Sequence, residues 1–163
     1  CYVRQREQNG LGDAIACAER HIGDEPFAVL LGDTITKSKT PCTKQLIDVY
    51  NRFEKPTLSL KEISTDKLNK YGIVDGSQIE PNIYTINQLI EKPKIDEAPS
   101  NLAMVGRYIL TPDIFDKIKE TESGVDGEIQ LTDARQNWMK YMGYSLKAKP
   151  ITLQPVSIGL RHP

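Results

Sequence analysis

The stretch that decides the fold is Phe27-Ala28-Val29-Leu30-Leu31-Gly32-Asp33. Five consecutive apolar residues stand between Glu25-Pro26 and Gly32-Asp33, and this pattern predicts a strand over 27–31 that is buried on both faces. Ligands of open α/β sheets collect at the carboxyl ends of such strands. A glycine there lets a ligand approach the backbone, and a carboxylate suits a divalent cation that bridges phosphates. Asp33 is therefore a candidate metal ligand, with an ordinary strand-ending turn as the alternative.

The rest of the chain alternates strand-like and helix-like segments. Apolar patterns predict further strands over 2–5, 58–63, 71–74, 83–86, 102–110 and 147–153, with 71–74 and 83–86 forming a hairpin. Helical spacing predicts helices over 14–21 with Asp13 as N-cap, after Pro41 to about 53, from Thr111-Pro112 onward, and over 131–142. This alternation predicts one α/β domain over 1–163 with a mixed, mainly parallel sheet and flanking helices.

The composition excludes several classes of protein. A net charge of −1 gives no electrostatic basis for binding nucleic acid or an acidic membrane, and no apolar stretch approaches the roughly 20 residues of a spanning helix. Cys1, Cys17 and Cys42 lack C-x-x-C spacing, which argues against a zinc site or a disulfide framework. We therefore expect a cytoplasmic protein. The first segment reads as a strand already under way, so we interpret the chain as an internal piece of a longer protein.

A glutamine and a glycine near the start are candidates for binding a nucleobase. The Gln5 side chain offers both a donor and an acceptor, which matches the edge of a uracil or thymine ring. Gly10 would let the backbone lie against such a ring. Neither G-x-G-x-x-G after a strand nor G-x-x-x-x-G-K-[ST] occurs, so the Rossmann dinucleotide and P-loop interpretations fail. The alternative is that Gln5 is a surface residue.

Four further positions suit a sugar phosphate. The Glu91 carboxylate can accept hydrogen bonds from two adjacent sugar hydroxyls, and the Lys92 ammonium can hold a phosphate. Because neighbouring side chains in a strand point apart, this use of the pair requires a bend. Gly72 and Gly106 interrupt strand-like segments, which is typical either of a close ligand approach or of a bulge. The alternative for Glu91 and Lys92 is a solvated charge pair.

Taken together, these segments resemble one family. The motifs R-Q-x₄-G-L-G, L-L-G-D, K-Y-G-I-V-D, E-K-P-K with A-P-S-N-L-A, V-G-R-Y-I-L-T-P and G-E-I-Q-L-T-D-A occur in order. They are similar to those of bacterial-type UTP–glucose-1-phosphate uridylyltransferases, also called UDP-glucose pyrophosphorylases. The resemblance runs from Tyr2 to about Ala134 and implies a Rossmann-like nucleotide-diphospho-sugar transferase fold.

The resemblance also implies a reaction and its participants. UTP and glucose 1-phosphate would give UDP-glucose and pyrophosphate, with Mg²⁺ as cofactor and a homo-oligomer as the full-length form. Asp33 would hold the metal, and Lys92 would contact the sugar phosphate. Gln5 and Gly10 would bind uracil, and the glucose pocket would be lined by Gly72, Glu91 and Gly106.

Departures from the family pattern limit these expectations. The family's G-x-G-T-R loop and downstream P-x-T-K are not in this sequence, so the 163 residues alone are expected to be inactive. Ser157 and Leu160 stand where the family pattern has two aspartates, which weakens the expectation of a second acidic metal ligand. Two alternatives stay open: a glucose-1-phosphate thymidylyltransferase, and a non-catalytic nucleotide-sugar-binding subunit.

Overall fold

The computed structural model describes residues 1–121 and the backbone of residues 146–150. Its helices are α1 (Gly10–Ala16), α2 (Glu19–Ile22), α3 (Cys42–Phe53) and α4 (Ile114–Glu120), with a 3₁₀ segment at Thr65–Lys70. Its strands are β1 (Phe27–Leu30), β2 (Thr57–Glu62), β3 (Gly72–Glu80), β4 (Ile83–Glu91), β5 (Leu102–Leu110) and β6 (Leu146–Pro150). The predicted helix over 131–142 and the substituted positions Ser157 and Leu160 lie outside the described residues.

The described strands form one mixed sheet in the order β1-β5-β2-β6-β4-β3, which confirms an α/β fold with flanking helices. The prediction of a mainly parallel sheet is wrong for the described strands, because β2–β6 is the one parallel pair among them. Strands β1 and β2 do run in the same direction on either side of helix α3, as a β-α-β pattern requires. However, β5 lies between them and runs antiparallel to both.

Helices cover both faces of the sheet. Helix α3 packs on β2 and β5, and its buried Leu46 clusters with Ile109. The neighbouring Leu110 belongs to a larger cluster with Ile15 of α1 and Phe115 of α4. Successive residues of a strand point to opposite faces, so Ile109 and Leu110 identify the two sides of the sheet. The core therefore lies in two layers around β2 and β5.

Strand β1 differs from its prediction in burial. Phe27 and Val29 are half-buried and pack against the larger cluster, where the ring of Phe27 stacks on Phe115 at 5.2 Å. Ala28 and Leu30 are exposed, and Leu30 keeps 55% of its surface accessible. The prediction that this strand is buried on both faces is therefore wrong within the described part of the chain. The reason is that β1 ends the strand order and pairs there with β5 alone.

The first residues also differ from their prediction. No strand forms over 2–5, and the segment predicted as a helix over 14–21 overlaps two helices, α1 and α2, which are separated by Cys17-Ala18. Helix α1 begins at Gly10, so Asp13 is not the N-cap but lies in the first turn. Its Oδ2 accepts a hydrogen bond from Gln5 Nε2 at 2.6 Å. A carboxylate in the first helical turn is stabilised there by the exposed backbone amides.

Candidate functional site

Two of the sequence motifs meet across the β3–β4 ladder. Gly72 at the start of β3 is the direct partner of Glu91 at the end of β4. The next residue, Lys92, extends the ladder, since its backbone N–H donates to Tyr71 O at 3.1 Å. Lys92 has a left-handed φ of 42° and is followed by the buried Pro93. The chain therefore leaves extended geometry at Lys92, as the hypothesis for this pair requires, with Glu91 half-buried and Lys92 exposed.

Strand β5 connects this pair to the glycine predicted for the same pocket. Ile73, next to Gly72, pairs with Ala103. Gly106 lies three residues further along β5, which is about 10 Å at the rise of a strand. Ser100 anchors the start of β5, because its Oγ donates to Val74 O at 2.6 Å and accepts from Leu102 N at 3.0 Å.

Asp33 occupies a tight turn at the carboxyl end of β1, as predicted. Thr34 N donates to Leu31 O at 3.3 Å, so Leu31 and Thr34 are the ends of a β-turn with Gly32 and Asp33 at its centre. Both central residues are exposed. Asp33 Oδ1 accepts a hydrogen bond from Thr34 Oγ1 at 3.2 Å. The carboxylate therefore faces solvent from a closed turn.

Gly106 lies against this turn. Its carbonyl accepts a hydrogen bond from Leu31 N at 2.9 Å. A Cβ on Gly106 would lie 2.6 Å from Thr34 Oγ1 and 2.9 Å from Leu31 Cβ, closer than real Cβ atoms approach. The close approach that the sequence suggested is thus made by the protein's own turn, and a glycine is needed whether or not a sugar also reaches this strand.

Gln5 and Gly10 also come together. Gln5 Nε2 donates to Gly10 O at 3.2 Å as well as to Asp13. Gly10 has a φ of 93°, a conformation that favours glycine, and both residues are half-buried. The two predicted base contacts therefore share one corner at the start of α1. Asp13, which the sequence indicated only as a helix cap, is part of the same hydrogen-bonded group.

Sequence reasoning missed Arg107 and Ser59. Arg107 donates to backbone carbonyls of the Asp33 turn, and Ser59 in the neighbouring strand β2 is fully buried. Both residues affect the pKa of Cys42 at the start of α3. Burial raises the pKa of the Cys42 thiol, while the Arg107 charge and a hydrogen bond with Ser59 act in the opposite direction. One signal was available, since an arginine inside an otherwise apolar strand needs polar partners.

Asp33 is the candidate ligand for the predicted metal. The described residues contain no group of three or more His, Cys, Asp and Glu side chains that could form a protein cage for a cation. Mg²⁺ commonly binds through one or two carboxylates together with substrate phosphates and water. A single exposed carboxylate, Asp33, on a fixed turn is compatible with that mode.

A sequence model described as nucleotidyl transferase matches residues 1–149. The chain belongs to this family. A nucleotidyl transferase from Staphylococcus epidermidis, a UTP–glucose-1-phosphate uridylyltransferase, is 51% identical over 133 residues, which are 82% of this chain and 46% of the relative. The UTP–glucose-1-phosphate uridylyltransferase of Pseudomonas aeruginosa is 49% identical over 135 residues, which are 82% of this chain and 48% of the relative.

Solved structures of nucleotidyl transferases share the fold. A UDP-glucose pyrophosphorylase complexed with UDP-glucose superposes with a TM-score of 0.87 at 39% identity, covering 94% of this chain and 59% of that one. A UTP-bound UGPase from Acinetobacter baumannii superposes with a TM-score of 0.80 at 32% identity, and the match covers 93% of this chain and 52% of that one. These findings confirm the resemblance seen in the motifs.

The nucleotidyl transferase chain spans about half the length of the curated relatives it matches. Among its described residues, no helix is long and apolar enough to cross a membrane.

Proposed function

We propose that the enzyme containing this chain forms UDP-glucose and pyrophosphate from UTP and α-D-glucose 1-phosphate. The observation that carries the proposal is the pairing of Gly72 with Glu91, followed by the bend at Lys92. Glu91 could accept hydrogen bonds from sugar hydroxyls, and Lys92 at the same strand end could hold a phosphate. Gly72, opposite Glu91, would leave space for the sugar. Relatives about half identical over most of the chain, named for this reaction, support the same function.

The chemistry follows from the charges of these groups. A phosphate oxygen of glucose 1-phosphate would attack the α-phosphorus of UTP in line, displacing pyrophosphate without a covalent enzyme intermediate. The protein's part is to position the two substrates and to neutralise their charge. Glu91 would orient the sugar, Lys92 would offset the charge of its phosphate, and Gln5 with Gly10 would receive the uracil. Mg²⁺ bound at Asp33 would offset the charge of the triphosphate.

The remaining expectations belong to the same proposal. The enzyme would act in the cytoplasm as a homo-oligomer, without nucleic acid or membrane partners. Light scattering of the purified full-length enzyme tests its oligomeric state, and a monomer would contradict that part.

Nucleotide preference tests the reaction directly. We expect UTP to be preferred over dTTP, CTP and ATP when pyrophosphate release from the full-length enzyme is measured with glucose 1-phosphate and Mg²⁺. A preference for dTTP of about tenfold or more in kcat/KM would identify a thymidylyltransferase instead. Binding of UDP-glucose without turnover of any of the four nucleotides would identify a non-catalytic binding subunit.

The 163 residues expressed alone provide a comparison. We propose that they form an incomplete nucleotidyltransferase domain, because the relatives that carry the activity are about twice as long. We expect weak binding of UDP-glucose without turnover. Turnover within about tenfold of the full-length enzyme would contradict this.

A further inference from the structure

Strand β5 bulges where it passes the Asp33 turn. Leu58 of β2 is the partner of Tyr108, but the next residue, Ser59, is the partner of Val105. Gly106 and Arg107 are thus extra residues without partners in the β2 register. A bulge of this kind bends the strand and redirects its side chains.

The Ser59 hydroxyl contacts the backbone of this bulge. It is fully buried and donates to Val105 O, and it also lies 3.1 Å from Arg107 O. The carbonyls of Val105 and Arg107, on either side of Gly106 in the bulge, therefore both lie against one buried hydroxyl. Buried carbonyls without a donor are costly, so the hydroxyl favours the bulged conformation.

The Arg107 side chain then reaches both ends of the turn. Its Nη1 donates to Leu31 O at 2.8 Å and to Gly106 O at 2.7 Å, and its Nη2 donates to Thr34 O at 2.6 Å. Leu31 and Thr34 are the first and last residues of the turn that carries Asp33. A guanidinium can bridge two such carbonyls because its donors form a rigid planar fork, which an ammonium lacks.

We propose that Arg107 is a positioning residue that fixes the Asp33 turn for binding a divalent cation together with a nucleoside triphosphate. The inference rests on the proposed role of Asp33. Arg107 spans the turn from Leu31 to Thr34, and Gly106 leaves the space in which the turn sits. The backbone that carries the exposed carboxylate is then held in one conformation before the ligand arrives, which lowers the cost of ordering it on binding.

The test compares Arg107→Lys with Arg52→Lys in the full-length enzyme. Arg52 is an exposed arginine on α3 whose guanidinium contacts Glu80 at 2.8 Å, so its substitution controls for the loss of a guanidinium. Mn²⁺ binding in the presence of UTP, without glucose 1-phosphate, is titrated by electron paramagnetic resonance. We expect Arg107→Lys to weaken Mn²⁺ binding by about tenfold and to speed amide exchange at Asp33 and Thr34, with Arg52→Lys close to wild type.

A double-mutant cycle separates this inference from the role of Asp33 itself. If Arg107 acts through Asp33, Arg107→Lys will have little further effect on Mn²⁺ binding in an Asp33→Asn background. Weaker binding in Asp33→Asn but unchanged binding in Arg107→Lys would overturn the inference and leave the proposed function intact. Unchanged binding in Asp33→Asn would overturn the metal role of Asp33 and the inference with it.

A second variant addresses the case in which Arg107→Lys does not fold. Ser59→Ala removes the donor beneath the bulge and leaves the guanidinium in place. We expect faster amide hydrogen exchange at Asp33 and Thr34, as for Arg107→Lys, with a smaller loss of Mn²⁺ binding than in Arg107→Lys. Unchanged exchange in this variant would contradict the role of the bulge.

Discussion

Replacing Lys92 by alanine is expected to lower kcat/KM for glucose 1-phosphate by about 10²-fold or more, on the scale of losing one charge-stabilising donor. In the proposed function the ammonium offsets phosphate charge that persists into the transition state, so its loss should affect kcat as well as KM. Folding should be little affected. Lys92 is exposed, and alanine at its φ of 42° has the same Cβ strain as lysine. Steady-state pyrophosphate release, with thermal unfolding beside it, measures both effects.

Two neighbouring substitutions make this result specific. Glu91→Gln should raise KM for glucose 1-phosphate and relax discrimination against other hexose phosphates, because the proposed role of the carboxylate is to orient the sugar. Lys94→Ala removes a lysine of the same loop that contacts Glu97 at 3.2 Å and should change neither constant. Equally small effects at all three positions would mean that Glu91 and Lys92 are ordinary solvated charges.

Substitution of Asp33 by asparagine should also lower kcat by about 10²-fold and raise the Mg²⁺ concentration needed for half-maximal rate. Asparagine keeps an oxygen that can accept the hydrogen bond from Thr34 Oγ1, so the turn should persist. The side chain is exposed, so we expect a small change in the free energy of unfolding.

The matched control is Asp24→Asn, which makes the same charge change in the exposed turn before β1. It should leave the rate and the Mg²⁺ dependence unchanged. A wild-type rate for Asp33→Asn at saturating Mg²⁺ would return Asp33 to the role of a plain turn residue.

Local patterns predicted most of the elements but not their arrangement. The hairpin, helix α3 and the long strand β5 follow from apolar periodicity, and the structure has each of them. Periodicity does not specify partners, so the position of β5 between β1 and β2 could not be read from it. The same limit explains β1, whose apolar run indicates a strand without showing which neighbours cover it.

The candidate site also has features that the sequence could predict and features that it could not. The turn at Asp33 was predictable because Gly32-Asp33 directly follows an apolar run. The bend at Lys92 was not, because a following proline favours extended backbone, whereas Lys92 has a left-handed φ of 42°. The contacts of Arg107 were not predictable either, because they depend on a bulge at Ser59, 46 residues before Val105 in sequence. The environment of Gly106 likewise depends on the distant residues Leu31 and Thr34. Motifs could identify the positions, but the contacts come from strand register.

The contact between Gly106 and the turn constrains how this protein can evolve. A β-carbon at Gly106 would collide with the Cβ atoms of Thr34 and Leu31 as well as with the threonine hydroxyl. Shortening Thr34 to serine or alanine would therefore not make room. A side chain at position 106 therefore requires the turn that carries Asp33 to move, so we expect evolution to change this glycine and the position of the aspartate turn together.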